Sequence, residues 1–387
     1  MSINKLYNRK KSPPFVSDET NIPITINFSS APTTCKNSIA ILKYDKDFAY
    51  SFTFDDALIS ALTCGYSVLA GGTADNGVHY SPLYYTDGCG NNKLFKAASA
   101  FYAVNSLGID LHNGTPTNLT YANLTTLYNA GWDIINHSWS HSNGSTNSPG
   151  RAALGHPDYP YEISQSFAAL NTAGIPTWPH FIIPGGDMNY LPDVISAGIK
   201  CIYNQAGASF YGSGGFQLDG IELEKPFKLF RKSLESTDTY PTIKGLLESF
   251  ASSCTNGKKG WYNDFTHTLT TTLFSGGITI ADYASYMGFI ASTYGATGSD
   301  NVWMAPLQEV WEYNNLKENT RLTVPNIVGS SASFSINHNV LTTNSRRFCW
   351  TIKITADQNI SSVTVPSGYT STFRGTGSNK IINIEKT

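Results

Sequence analysis

Charge is scarce in this chain. Asp, Glu, Lys and Arg make up 14% of its 387 residues, and the net charge is −2. No basic stripe is available to neutralise phosphates, which argues against nucleic acid or an anionic membrane surface as partner. No apolar run approaches the roughly 20 residues of a membrane helix, so no membrane insertion is expected. The six cysteines (Cys35, Cys64, Cys89, Cys201, Cys254, Cys349) include no Cys-x-x-Cys pair. That excludes a zinc-ribbon pattern and a dense disulfide framework, and leaves buried, reduced thiols with one or two bridges open. Met1 to Phe15 carries Lys5, Arg9, Lys10, Lys11 and Pro13-Pro14 but no apolar core, so it does not read as a secretory signal. Repeats and low-complexity tracts are also lacking. What is plentiful is Ser, Thr, Asn, Gly and Tyr, a surface chemistry suited to a neutral, hydroxyl-rich partner such as a glycan.

The length allows two domains, or one large domain with an appendage. Residues 1–45 read as an N-terminal arm with one or two strands, Ile22 to Phe28 alternating with period two. From 46 to 318, strand-like and helix-like segments alternate, the pattern of an α/β fold. Predicted strands end at Phe54, Ile135, Ile183, Tyr203, His267 and Ala305. Predicted helices cover Ala57–Leu62, Leu94–Leu107, Tyr121–Ala130, Tyr161–Ala173, Ile280–Tyr294 and Pro306–Leu316, with a Gly-, Asn- and Tyr-rich insertion from Gly71 to about Lys93. Beyond about Asn319 helical periodicity gives way to short alternating runs between turn-formers. Residues 319–387 therefore read as a small all-β, sandwich-like domain.

Two stretches carry chemistry. In Gly131–His141, His137 and His141 are four apart after a short apolar pair, a spacing that lets two imidazoles reach one point and hold half of a metal site. In Ala49–Asp56, a strand-like run ends in two adjacent carboxylates. Like charges in contact resist joint ionisation, and a metal ion removes that objection: one acid coordinates while the other stays free as a base.

Together the Thr53-Phe54-Asp55-Asp56 and His137-Ser-Trp-Ser-His141 segments resemble the polysaccharide deacetylases, carbohydrate esterase family four, over roughly residues 46 to 318. The Gly131-Trp132-Asp133-Ile134 lead-in is similar as well. The resemblance implies a distorted (β/α)7-8 barrel and a metal-dependent hydrolase removing N- or O-acetyl groups from a polysaccharide. It implies Asp56, His137 and His141 as ligands of a divalent metal, zinc being the expected one. Asp55 would be the general base and His267 the acid that protonates the leaving group. The candidates all fall at C-terminal strand ends, the rim where barrel active sites are built. The alternative class is a non-catalytic glycan-binding or structural component, of a phage tail or cell surface, that keeps the fold. Either role is expected outside the cytoplasm, in a secreted, surface-bound or phage-borne protein.

Three departures from the family pattern stand out. Phe265 occupies the position of a usual leucine, and no Asp-x-x-Asp-Trp segment is present. Pro184 and Gly186 match a Pro-x-Gly segment, but Ile182 stands where relatives carry the arginine that pairs with the base. A replacement contact to Asp55 is expected, from His180 or Arg231. Trp139, Trp178, Trp261 and Trp303 are read as core or as sugar-stacking aromatics. Asp87-Gly88 on the insertion is read as a turn or an overhang of the site. His79, His112, His156 and His338 receive no role.

Overall fold

The computed structural model describes residues 20–175, 180–205, 227–254, 259–272, 276–340 and 346–387. Seven parallel strands form a closed ring: Phe48–Phe54, Ala98–Phe101, Asp133–Asn136, His180–Ile182, Cys201–Gln205, Phe227–Ser233 and Gly260–Thr266. The seventh closes on the first along its full length, from Gly260 against Phe48 to Thr266 against Phe54. On its other side the first strand is shared. An eighth strand, Val302–Met304, pairs with Phe48–Tyr50, and the second strand meets the first only at Thr53–Phe54, through Ala98–Ser99. That split neighbour distorts the barrel.

The first strand shows how the aromatic residues are used. Phe52 and Phe54 meet Tyr283 of the helix Ile280–Tyr294, at ring separations of 5.0 and 5.6 Å. This helix buries Tyr283, Tyr286, Met287 and Ile290 at helical spacing, and Thr279 caps it by accepting from the Asp282 N–H. Because strand side chains alternate in direction, Ser51, Thr53 and Asp55 point the other way, into the barrel. Ser51 accepts from the Trp261 indole there at 2.9 Å. Trp261 and Trp303 are thus core residues, and Trp178 lies outside the described residues.

The second strand corrects an expectation. Leu94–Leu107 reads as a helix because Ala97, Ala98, Ala100 and Ala103 are good helix formers. Here Ala98–Phe101 is a fully buried strand between the first and third. Tertiary pairing overrides propensity where the barrel wall needs small side chains. The sixth strand and the helix Tyr240–Ser253 were not assigned from sequence.

Two antiparallel sheets enclose a second apolar core that includes Ile22, Ile24, Ile26, Phe334, Ile336, Trp350, Ile352, Ile382 and Ile384. Strands from both chain ends build them: Thr20–Phe28 pairs with Ser331–His338 and Ile360–Thr364, and Cys35–Ile39 pairs with Cys349–Ala356. The insertion leans on this unit. Asp87 accepts from the Thr372 hydroxyl, and its carbonyl accepts from Asn383. Asp87-Gly88 is therefore a turn docked on the antiparallel sheets. Arg347 joins the two cores from below, donating to Asp133 at the start of the third strand (2.8 Å) and lying 3.4 Å from Glu309.

One buried carboxyl gives the fold a pH dependence. Asp264 accepts from the hydroxyls of Tyr50 (2.8 Å) and Tyr286 (2.9 Å), and burial pushes it up to about 7. An unfolded chain ionises it near 4, so folding holds a proton that the unfolded state releases. Stability is therefore lost as pH rises from about 4 towards 7. Asp264→Asn is expected to gain on the order of 1–3 kcal/mol at pH 7 and nothing at pH 4. Urea titrations at the two pH values check this; an equal effect at both would refute it.

Candidate metal centre

The chain turns sharply after Phe54. Asp55–Ala57 is a single tight turn in which Asp56 takes φ 69°. That turn sends the adjacent carboxylates to different surroundings. Asp55 points into the barrel with a side chain 4% exposed, while Asp56 is 23% exposed at the rim. The backbone is propped from the far side by the Leu119 N–H, which donates to the Ala57 carbonyl at 2.8 Å.

Asp56, His137 and His141 converge. Their ligand atoms lie within 4.8 Å of one another, and each histidine Nε2 is 3.6 Å from Asp56 Oδ1. His137 Nδ1 faces the Ile182 carbonyl at 2.8 Å. A carbonyl only accepts, so Nδ1 carries the hydrogen and Nε2 offers its lone pair. Burial, with His141 alongside, pushes His137 down to about 3, so the ring is neutral. Asp56 Oδ1 is buried and has no hydrogen-bond partner among the described residues. An acceptor nitrogen thus faces an acceptor oxygen too far away for a hydrogen bond. Lone pairs aimed at one another need a cation between them, and the donor set of one carboxylate and two imidazoles suits zinc or a similar divalent ion.

The loop carrying the histidines is strained and tied down. Ser138 (φ 71°) and His141 (φ 55°) take left-handed conformations, which cost on the order of 1–3 kcal/mol each unless the surroundings impose them. Glu162, fully buried on the helix Tyr159–Thr172, imposes them. Its carboxylate accepts from the Trp139 N–H (3.0 Å), the Ser140 N–H (2.7 Å) and the Ser140 hydroxyl (2.6 Å). Ser138 Oγ accepts the His141 N–H at 2.9 Å. Sequence reading missed Glu162, although a carboxylate on the buried side of an amphipathic helix was the available signal. Glu162→Ala is expected to weaken metal affinity about ten- to a hundredfold, the range for removing a group that orients a ligand. Competition against a chelating dye measures it, and an unchanged affinity would show the loop holds itself.

Asp55 has its replacement partner. Arg231, buried on the sixth strand, donates Nη1 to Oδ1 at 2.7 Å and Nη2 to Oδ2 at 3.0 Å. Burial pushes the Asp55 carboxyl up, but the guanidinium charge and its two hydrogen bonds outweigh that and hold it below the usual range. The Arg231 guanidinium sits over the Phe265 ring, 4.2 Å from Cζ to the ring centre. His180 is spent elsewhere, on the Tyr203 hydroxyl at 2.8 Å. Ile182, standing where an arginine was expected, contributes its carbonyl to His137.

His267 follows the seventh strand, two residues past Phe265 and partly exposed. It sits near enough to act electrostatically on both carboxylates. Its Nδ1 faces the Gly276 carbonyl at 3.2 Å, which leaves Nε2 to exchange protons. Tyr102, at the end of the second strand, packs its ring 5.3 Å from that of His141. Burial and the Asp56 charge push its hydroxyl up to about 12.

No protein-family model and no curated protein matches the chain. Among solved structures it is similar to a Streptococcus pyogenes deacetylase, PplD, in complex with acetate, at 18% identity and a TM-score of 0.27. The match covers 40% of this chain and about half (54%) of the streptococcal one.

Proposed function

We propose that the protein is a metal-dependent hydrolase that removes acetyl groups, amide- or ester-linked, from an acetylated polysaccharide. One observation carries the reading: adjacent carboxylates are given opposite tasks by their partners. Asp56 is turned towards the His137 lone pair and the His141 ring, as a ligand must be, and Asp55 is held ionised by Arg231 beside them, as a base must be.

The division of labour follows from these partners. A divalent cation held by Asp56, His137 and His141 would supply Lewis acidity for a carbonyl and for water. Asp55 takes a proton from the attacking water, and its bidentate anchor fixes the direction in which it accepts. As the acyl carbon–heteroatom bond breaks, His267 gives its proton to the departing amine or alcohol of the sugar. Water is consumed, and acetate and the deacetylated glycan leave. The barrel of residues 46–318 would carry this chemistry, and a glycan substrate would place the protein outside the cytoplasm, whether secreted, on a surface or on a phage particle.

Acetate release from a panel of N- and O-acetylated polysaccharides, with and without chelator, tests the reading. Chelator-sensitive release is the expected result. Metal binding and glycan binding without any release would sink it, in favour of a recognition module that keeps the fold.

A further inference from the structure

We propose that Tyr102 contacts the substrate, its hydroxyl donating a hydrogen bond to a glycan oxygen next to the scissile acyl group. This deepens the reading above and rests on it. Tyr102 follows the second strand directly, on the rim that also presents Asp55, His137 and His267. Its ring lies against His141, and the hydroxyl makes no hydrogen bond to any described residue. A phenol that only filled space here would gain nothing from its oxygen, because phenylalanine would pack equally well.

The backbone around Tyr102 is fixed with unusual thoroughness for a residue at a rim. Its carbonyl lies 2.7 Å from His112 Nε2. The next two N–H groups, of Ala103 and Val104, both donate to the Trp139 carbonyl at 2.8 and 2.9 Å. Trp139 lies between the two histidines of the metal centre, so the Tyr102 segment and the ligand loop are stitched into one piece. His112, itself buried, turns its other ring nitrogen, Nδ1, to the Leu119 carbonyl and packs its ring 4.6 Å from Phe101. The Leu119 N–H reaches back to Ala57, beside Asp56. A chain of contacts from the carboxylate turn through His112 to the Tyr102 backbone thus fixes the base of a side chain whose ring packs on His141. Holding a donor in place before the ligand arrives is how a site makes one hydrogen bond selective.

Tyr102→Phe keeps the ring against His141 and deletes only the hydroxyl. On the acetylated glycan that the wild type hydrolyses fastest, KM is expected to rise about five- to tenfold with kcat within about twofold, the worth of one neutral hydrogen bond. The same factor is expected in the Kd for that glycan when both proteins carry Asp55→Asn to stop turnover. Metal stoichiometry stays at one per chain. An unchanged KM and Kd would overturn the proposal. So would loss of metal from Tyr102→Phe, which would make the hydroxyl a support of His141. A wild type that binds metal but hydrolyses no acetylated glycan would overturn the functional reading itself, an outcome seen before any variant is made.

Discussion

His141→Ala is expected to bind no stoichiometric divalent cation and to release no acetate, while remaining folded. The expectation follows from what faces what. Asp56 Oδ1 and His137 Nε2 are both acceptors, His141 offers a third ligand atom, all lie within 4.8 Å of one another, and a divalent cation compensates that arrangement. Removing one of three ligands should cost more than the ten- to hundredfold attached to groups that merely orient a ligand, so affinity should fall by well over about a hundredfold. His137→Ala should lose as much, but its ring is buried and its Nδ1 serves Ile182, so the variant also loses packing. His141 is the cleaner test because its side chain is 29% exposed. The fold should survive because the barrel core of Phe52, Phe54, Trp132 and Tyr283 does not pass through the ligands. Dialysis against chelator should reproduce the loss in the wild type, and restoring a divalent ion should reverse it. Metal analysis showing one equivalent retained in His141→Ala would move the centre elsewhere.

How much of this was legible in the sequence depends on which forces placed each part. Asp56, His137 and His141 were legible because each lies within a short motif at the end of a strand, where local spacing decides position. Arg231 was named only as one of two candidates. It reaches Asp55 across 176 positions of chain, and Phe227–Ser233 alternates charged and apolar residues too irregularly to announce a barrel strand. Arg231 and Phe265 also form one contact, the guanidinium carbon lying over the ring, although 34 positions separate them in the chain. No single-position reading could join them. The second strand was lost for the opposite reason, since alanines suited to a helix were required for a thin barrel wall. The strands Thr20–Phe28 and Cys35–Ile39 were visible as strands, but their partners lie some 300 residues away, beyond the reach of periodicity.

Asp55→Asn is expected to lower kcat by about a hundredfold or more with one metal per chain retained, since Asp55 is not among the three converging ligands. The change removes the negative charge opposite a buried guanidinium and sets an amide donor against guanidinium donors. Stability should fall too, by as much as about 3–5 kcal/mol, the cost of stranding one member of a buried pair. Arg231→Met makes the converse error. It leaves Asp55 buried without its bidentate cation, so burial pushes the carboxyl up against only the lesser pull of His137 and His267, towards the neutral acid. Activity needs the carboxylate, so the acid limb of the pH–rate profile should move to higher pH in Arg231→Met, with metal still bound. The double variant Asp55→Asn/Arg231→Met has neither charge to strand. Its rate should match that of Asp55→Asn alone, and its stability should exceed that expected from adding the two single losses. These results separate a base and its anchor from two residues that merely pack. If Asp55→Asn turns over within about tenfold of the wild type, Asp55 is not the base. If the rate losses of the single variants multiply in the double, Arg231 acts on catalysis by some route other than Asp55.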